Sequence, residues 1–332
     1  MTLDVFKQCF ESRSFLPELQ TGDRDQVHLS FDPPREADTP KTAGPPPGES
    51  WDAGRLQFDP AMKHFMNGWR SEAPELDEPA RTQWRRAHGE FMAHVLQRVA
   101  TSPLCESLVL RGSSAMPFWV GNLAREPKDI DFVVVPPSVD IRSAEAGRIR
   151  ERLREQVEQQ APSGITVMSD ATALSEIWTY DRVPGERLVF TWRCGDFPWA
   201  HTQIDLVYRE QLPEPPRRLP ELGVLAAGPE LSLAWKILWL WGDMHPRAKD
   251  LYDAMVLAER YSLSEELLRR VFGDEIRARR FLDLTKIDND QLEWVGMQQR
   301  SPWTDSSRAL ARSWWERLRA AAPRLADPTP LK

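Results

Sequence analysis

The chain has 332 residues and a mass of 38.2 kDa, enough for two domains or for one large domain with additions. Its 41% hydrophobic and 28% charged residues are ordinary globular usage and argue against wholesale disorder or a fibrous structure. A formal net charge of −7 excludes a uniformly basic nucleic-acid coat, although 43 Lys and Arg remain available for a local basic surface.

The N-terminal stretch MTLDVFKQCFESRSF carries no basic region followed by an apolar one, so no signal peptide is expected. Residues 32–50, DPPREADTPKTAGPPPGES, read as a polyproline-like segment without a core, and residues 1–76 as a partly flexible extension, with a short stretch around 58–69 docking back onto the body. From 79 to 99, Trp84, Phe91, Met92, Val95 and Val99 recur at helical spacing. An apolar strand at 108–110 ends at Gly112-Ser113, a helix is expected over 113–123, and a second strand runs over 129–135 to Pro136-Pro137. A helix over 143–160 follows, with a narrow stripe of Ile149, Leu153 and Val157, and then strands at 165–168, 187–192 and 202–208.

PEPPRRLPE, residues 213–221, is a stiff connector, and beyond it the pattern is helical at 230–241, 247–261, 264–272 and 306–321. The expected class is therefore α+β, with a small mixed-sheet domain over 77–212 and a helical C-terminal domain over 222–325. The longest apolar run, 231–241, is broken by Lys236 and falls short of the ~18–20 residues that span a bilayer, so no membrane partner is expected. Three cysteines (Cys9, Cys105 and Cys194), odd in number and far apart, fit neither a disulfide framework nor a cysteine zinc site and agree with a reducing cytoplasm.

Asp129 and Asp131 open a strand whose neighbours Ile130 and Phe132 are apolar. Alternation puts the two carboxylates on one face, where they repel each other unless a cation lies between them. Hard oxygen donors in that arrangement suit Mg²⁺. Upstream, Gly112-Ser113-Ser114 sits between a strand and a helix, where backbone N–H groups and hydroxyls can receive phosphate oxygens; the same residues can equally be a helix cap. Asp205, flanked by Ile204 and Leu206 on a later strand, is placed to complete a three-carboxylate cage or else to sit at an edge in water. Lys236 lies in a helix apolar on nearly every side, so it either snorkels to water or meets an anion. Asp250 and Asp253 are i,i+3 neighbours beside a buried stripe of Leu251, Ala254, Met255 and Ala258, and Lys249 with Asp253 can form an i,i+4 pair. Trp235, Trp239 and Trp241, at helical spacing, read as core. The helix over 143–160 mixes Arg and Glu and reads as a solvated face.

The run LVLRGSSAMPFWVGNLAREPKDIDFVV resembles the signature of the DNA polymerase β-like nucleotidyltransferase superfamily. ELSLAWKILWLWGDMHPRAKDLYDAMVLAER is similar to the second conserved region of the AbiEii/AbiGii toxin family. The resemblance spans about residues 80–260, and the fifteen residues between Ser113 and Asp129 lie at the long end of the pattern. It implies that Asp129 and Asp131 coordinate Mg²⁺ and that Asp205 joins them and helps deprotonate an acceptor hydroxyl. Gly112, Ser113 and Ser114 would hold the nucleotide triphosphate, and Lys236 would neutralise phosphate charge. Lys249, Asp250 and Asp253 match the downstream motif, in substrate contact or in positioning Lys236, and Arg247 is a further phosphate contact. The implied activity is transfer of a nucleoside monophosphate from an NTP to an RNA hydroxyl, the tRNA 3′ end first among acceptors, by a toxin with a cognate antitoxin. A small-molecule or protein acceptor, and a non-catalytic nucleotide-binding module, are the alternatives.

Overall fold

The computed structural model describes residues 3–11, 56–58, 69–71, 76–159, 161–168, 172–179, 183–197, 199–220, 222–242, 246–273, 292 and 305–321. The proline-rich stretch 32–50 lies outside them. The described chain falls into two units, the second beginning its main body at Gly228.

In the first unit, the Asp77 carboxylate accepts from the Ala80 N–H at 2.9 Å and caps helix α2, Glu78–Ala100. Pro79 sits in its first turn, where no N–H is needed. Its core side is the expected one: Trp84, Phe91, Met92, Val95 and Val99 are all buried. Strand β3, Leu108–Arg111, leads into a tight turn at Gly112–Ser114. The single helix expected over 113–123 is instead three short turns, with α3 confined to Met116–Val120. Pro117 fits only its first turn, and Gly121, at φ +60°, ends it. Strand β4 is Asp129–Val134, and α4, capped by Ser143, is Ala144–Glu158, burying Ile149, Leu153 and Val157.

Strands β5 (Ile165–Val167), β6 (Ala173–Thr179), β7 (Val183–Cys194) and β8 (Ala200–Val207) follow. Two short strands follow, β9 (Arg217–Arg218) from the stretch read as a connector and β10 (Leu225–Ala226) from residues expected in the helical domain. They join the sheet because β10 runs parallel to β3 and β9 pairs with β10. The sheet order is β5-β7-β8-β4-β3-β10-β9, with β6 on β7. It is mixed: β4 is antiparallel to β3 and parallel to β8.

The two faces of the sheet divide by alternation. Leu188, Phe190 and Trp192 of β7 share one face, and there Trp192 stacks on Phe91 and His88 of α2. Glu186, on the same parity, receives Arg150 of α4 and the Tyr208 hydroxyl at 2.8 Å. Helices α2 and α4 therefore cover that face, which leaves the other for Arg187, Asp205, Asp131 and Asp129. The N-terminal helix α1, Leu3–Gln8, is part of this unit: Phe6 and Phe10 are buried against Phe118 and His88. A hairpin of β1 (Leu56–Phe58) and β2 (Trp69–Ser71) pairs Phe58 with Trp69, and β2 lies against β8.

The second unit packs α5 (Pro229–Gly242) on α6 (Ala248–Ala258) and α7 (Glu265–Phe272), and α6 on α8 (Asp305–Ala321). Trp235 and Trp239 are buried and stack at 6.5 Å. No described helix is long and apolar enough to cross a membrane.

Candidate active site

The site is set by register. Arg111, Asp131, Asp205 and Arg187 occupy facing positions on four neighbouring strands, β3, β4, β8 and β7. Facing residues share a side of the sheet, so two carboxylates lie between two arginines in one row. Asp129, two residues before Asp131, projects from the same face, while Ile130 and Phe132 are buried on the other.

The Gly112 turn is built around these carboxylates. Gly112 has φ +69°, and a Cβ there would stand 2.3 Å from Asp131 Oδ2. No other residue fits: the left-handed backbone is costly for one, and the side chain would occupy the space of the carboxylate. The next two residues tie the turn to Asp129. Ser113 Oγ donates to Asp129 Oδ1 at 3.3 Å, and Ser114 Oγ donates to the Asp129 backbone carbonyl at 2.5 Å. Ser113 and Ser114 are both buried, so their hydroxyls hold the turn against the strand.

Asp205 stands differently from the expectation. It lies beside Asp131, but both its oxygens are taken: Arg187 Nε donates to Oδ1 at 2.8 Å and Nη2 to Oδ2 at 2.7 Å. Both residues are buried. Among the described residues, no three carboxylate, histidine or cysteine side chains close around one point as an ion would require. The physical reason is the neighbour across β7, a guanidinium whose planar fork matches a carboxylate. Burial alone would depress the Arg187 pKa. Asp205 outweighs that through charge and hydrogen bonding, Asp129 and Asp131 add to it, and the pKa is raised. Asp129 and Asp131, half-buried with hard oxygen donors on one face, fit a divalent cation; Asp205 fits one only by giving up Arg187.

Neither Arg187 nor Arg111 was singled out from the sequence. Each interrupts or ends an apolar strand, RLVFTW and LVLR, which is the one sequence signal available. Arg111 is buried, with Nη1 3.6 Å from Glu210.

In the second unit, Lys236 meets anions rather than water. Its Nζ lies 2.5 Å from Asp250 Oδ1 and 2.9 Å from Asp253 Oδ2, all three buried, with the Trp239 ring 5.0 Å away. Asp253 thus pairs with Lys236 across two helices, where the sequence had also allowed Lys249. Burial opposes the charge on Asp250, but Lys236, Lys249 and Arg247 prevail and hold its carboxyl at about 2. Arg247, buried, precedes the first turn of α6, and Lys249 lies within that turn. The sequence-derived residues are therefore gathered as Gly112, Ser113, Ser114, Asp129, Asp131 and Asp205 in one unit, and Lys236, Arg247, Lys249, Asp250 and Asp253 in the other.

Residues 94–321 match the family described as nucleotidyl transferase AbiEii toxin, type IV toxin–antitoxin system. No curated protein matches the chain. Among solved structures, JHP933 from Helicobacter pylori is similar at 18% identity and a TM-score of 0.41, covering 76% of this chain and 95% of that one. An antigenic nucleotidyltransferase-like protein from Paracoccidioides brasiliensis is similar at 16% identity and a TM-score of 0.32, covering 57% and 90%.

Proposed function

Because the chain belongs to the AbiEii family of nucleotidyltransferase toxins, we propose that it is an Mg²⁺-dependent enzyme that moves a nucleoside monophosphate from an NTP to an RNA hydroxyl, at the tRNA 3′ end, and releases pyrophosphate. It acts as the toxin of a toxin–antitoxin or abortive-infection pair in the cytoplasm, restrained by a cognate antitoxin protein.

The observation that carries this reading is the fit of Gly112 against the Asp131 carboxylate, with the serine turn anchored on Asp129. With no side chain at Gly112, the turn's backbone packs directly beside the carboxylate, so that the turn's N–H groups and the Asp131 oxygens can meet a phosphate and its cation side by side. Asp129 and Asp131 would hold the Mg²⁺, which when bound stabilises charge on the attacking and leaving oxygens. Ser113 and Ser114 keep the turn and strand in fixed relation, so that the triphosphate and the acceptor hydroxyl are oriented together. Asp205 is the carboxylate placed to receive the acceptor's proton once its oxygens are released from Arg187. In the helical unit, Lys236, Arg247 and Lys249 are the proposed phosphate contacts, Lys236 where a phosphate displaces part of its pairing with Asp250 and Asp253.

The formal net charge of −7 favours a second reading with a small-molecule or protein acceptor, because RNA affinity rests largely on phosphate neutralisation. One assay separates the readings. The protein is incubated with each labelled NTP, Mg²⁺ and either bulk tRNA or a protein mixture, beside Asp129→Ala and Asp131→Ala variants. Label on tRNA that disappears in both variants is the expected result. Label confined to protein or small molecules overturns the RNA acceptor. No transfer, with NTP binding unaltered by the substitutions, overturns the enzymatic reading.

A further inference from the structure

Resting on that reading of the site, we propose that Arg187 is a positioning residue. It acts as a built-in counter-cation that occupies the third carboxylate, Asp205, and hands it over when a divalent ion and its nucleotide arrive.

The argument starts from charge. Three carboxylates on one sheet face, at Asp129, Asp131 and Asp205, repel one another and destabilise a fold that must exist before substrate binds. Asp205 is the most enclosed of them, so it bears the largest cost of being charged without a partner. Arg187 removes that cost with two hydrogen bonds from a single planar group, and Asp129 and Asp131 act on the same guanidinium.

This arrangement makes the cation-binding capacity of the site conditional. Asp205 cannot give both oxygens to Arg187 and also complete a metal cage. An ion entering beside Asp129 and Asp131 therefore meets an adjacent positive charge and lacks the third carboxylate. If Asp205 turns to the ion, Arg187 becomes a buried guanidinium in need of an anion. The anion that arrives with the ion is the triphosphate, and a guanidinium grips phosphate oxygens as it grips a carboxylate. The metal alone thus binds weakly, and metal with nucleotide binds well, because only the pair satisfies both halves of the exchange.

The test reads the ion directly. Mn²⁺ is titrated into the full chain without nucleotide, and free Mn²⁺ is followed by electron paramagnetic resonance. Wild type is compared with Arg187→Met, Arg187→Lys and the Asp129→Ala/Asp131→Ala double variant. Arg187→Met is expected to bind Mn²⁺ about tenfold more tightly or better, because a competing unit charge is gone and Asp205 is released. Arg187→Lys, which keeps the charge but loses the two-pronged grip, is expected to fall between. The same variants are expected to raise the KM for NTP, since the phosphate partner is lost or weakened. Mn²⁺ affinity in Arg187→Met equal to or weaker than wild type overturns the proposal. Should Arg187→Met fail to fold, Arg187→Lys decides, and an affinity equal to wild type overturns it. Mn²⁺ binding undiminished in the double alanine variant instead overturns the metal reading of Asp129 and Asp131, an outcome separate from an Arg187 effect that is simply missing.

Discussion

His88 gives the most quantitative handle on the first unit. Its ring packs against both Trp84 and Trp192, with centroids 5.3 and 5.8 Å away and the two tryptophans 6.1 Å from each other, and lies edge-to-face with Phe10 at 5.5 Å. It is buried, and among the described residues neither ring nitrogen has a hydrogen-bond partner. Burial is the main reason its pKa falls to about 3; Lys128 and Arg85 push the same way and Asp129 opposes. The folded protein therefore keeps His88 neutral, while the unfolded chain takes up a proton near pH 6.5. Between about pH 6.5 and 3 the unfolded state binds the extra proton, so stability is lost as pH falls through that window. A shift from 6.5 to about 3 corresponds to nearly 5 kcal/mol in full, of which about 2 kcal/mol is lost between pH 7 and pH 5. His88→Phe keeps the stacking and removes the titration, at a cost at neutral pH of under about 1.5 kcal/mol. Urea unfolding followed by tryptophan fluorescence at pH 7, 6 and 5 measures the difference. His94, whose pKa is also lowered by burial, contributes equally to both proteins and cancels. Expected is a wild type that loses about 2 kcal/mol more than His88→Phe over that range. Parallel slopes in the two proteins would refute the assignment of His88 as a neutral, enclosed imidazole.

Four further outcomes follow from the same contacts. Gly112→Ala forces a left-handed alanine against Asp131, so NTP turnover should fall about 10²-fold, whereas Ser114→Ala, which loses one hydrogen bond, should cost about 1 kcal/mol by thermal unfolding. Gly89→Ala would place a Cβ 2.8 Å from the Phe10 ring and should destabilise by about 1–3 kcal/mol in urea; Phe10→Ala in the same chain should recover part of that loss, and no recovery would place the clash elsewhere. Lys236→Met leaves Asp250 and Asp253 buried together and should cost about 3–5 kcal/mol, while in wild type the stability supplied by the depressed Asp250 carboxyl, present above about pH 4, should disappear as pH falls toward 2. Asp205→Ala strands the Arg187 guanidinium and should also cost about 3–5 kcal/mol, against about 1 kcal/mol for Asp129→Ala, and equal melting shifts for the two would contradict the pairing.

What the sequence made legible follows the range of the forces involved. Helices α2 and α4 are local events, fixed by Asp77, Ser143 and an apolar stripe, and their bounds differ from the expectation by a residue or two. The same-face placement of Asp129 and Asp131 is likewise a consequence of strand alternation and needs nothing else. The helix expected after Gly112 broke into short turns because Pro117 and Gly121 outweigh the apolar character of the segment. Residues 217–218 read as connector and 225–226 fell in the domain expected to be helical, since two-residue strands carry no period of their own and exist only because β3 offers an edge. β6 was missed in the same way, as ALSEIWT shows no clean alternation. The Arg187–Asp205 pair depends on a register between β7 and β8 that no local pattern encodes. Lys236 was half legible: its apolar helix left either water or an anion for the ammonium, and only the packing of α5 on α6 decides for Asp250 and Asp253.

The three site carboxylates are each stabilised by a different device, and the devices differ in how easily they yield. Asp129 accepts from a neutral hydroxyl at 3.3 Å, a bond worth about 1 kcal/mol and readily exchanged for a cation. Asp131 lies against a turn that had to be glycine, and its Oδ2 abuts that turn's backbone. Asp205 is held by a full opposite charge in a buried, two-bond geometry, and releasing it requires a replacement for both members of the pair. Under the proposed exchange, a divalent ion would engage the Asp129–Asp131 pair first, and Asp205 would follow only when an anion arrives for Arg187. That order would tie completion of the cage to the presence of a polyanion. The two hydrogen bonds between β7 and β8 at residues 187 and 205 would then both stabilise the nucleotide-free fold and hold Asp205 back from acting as a base.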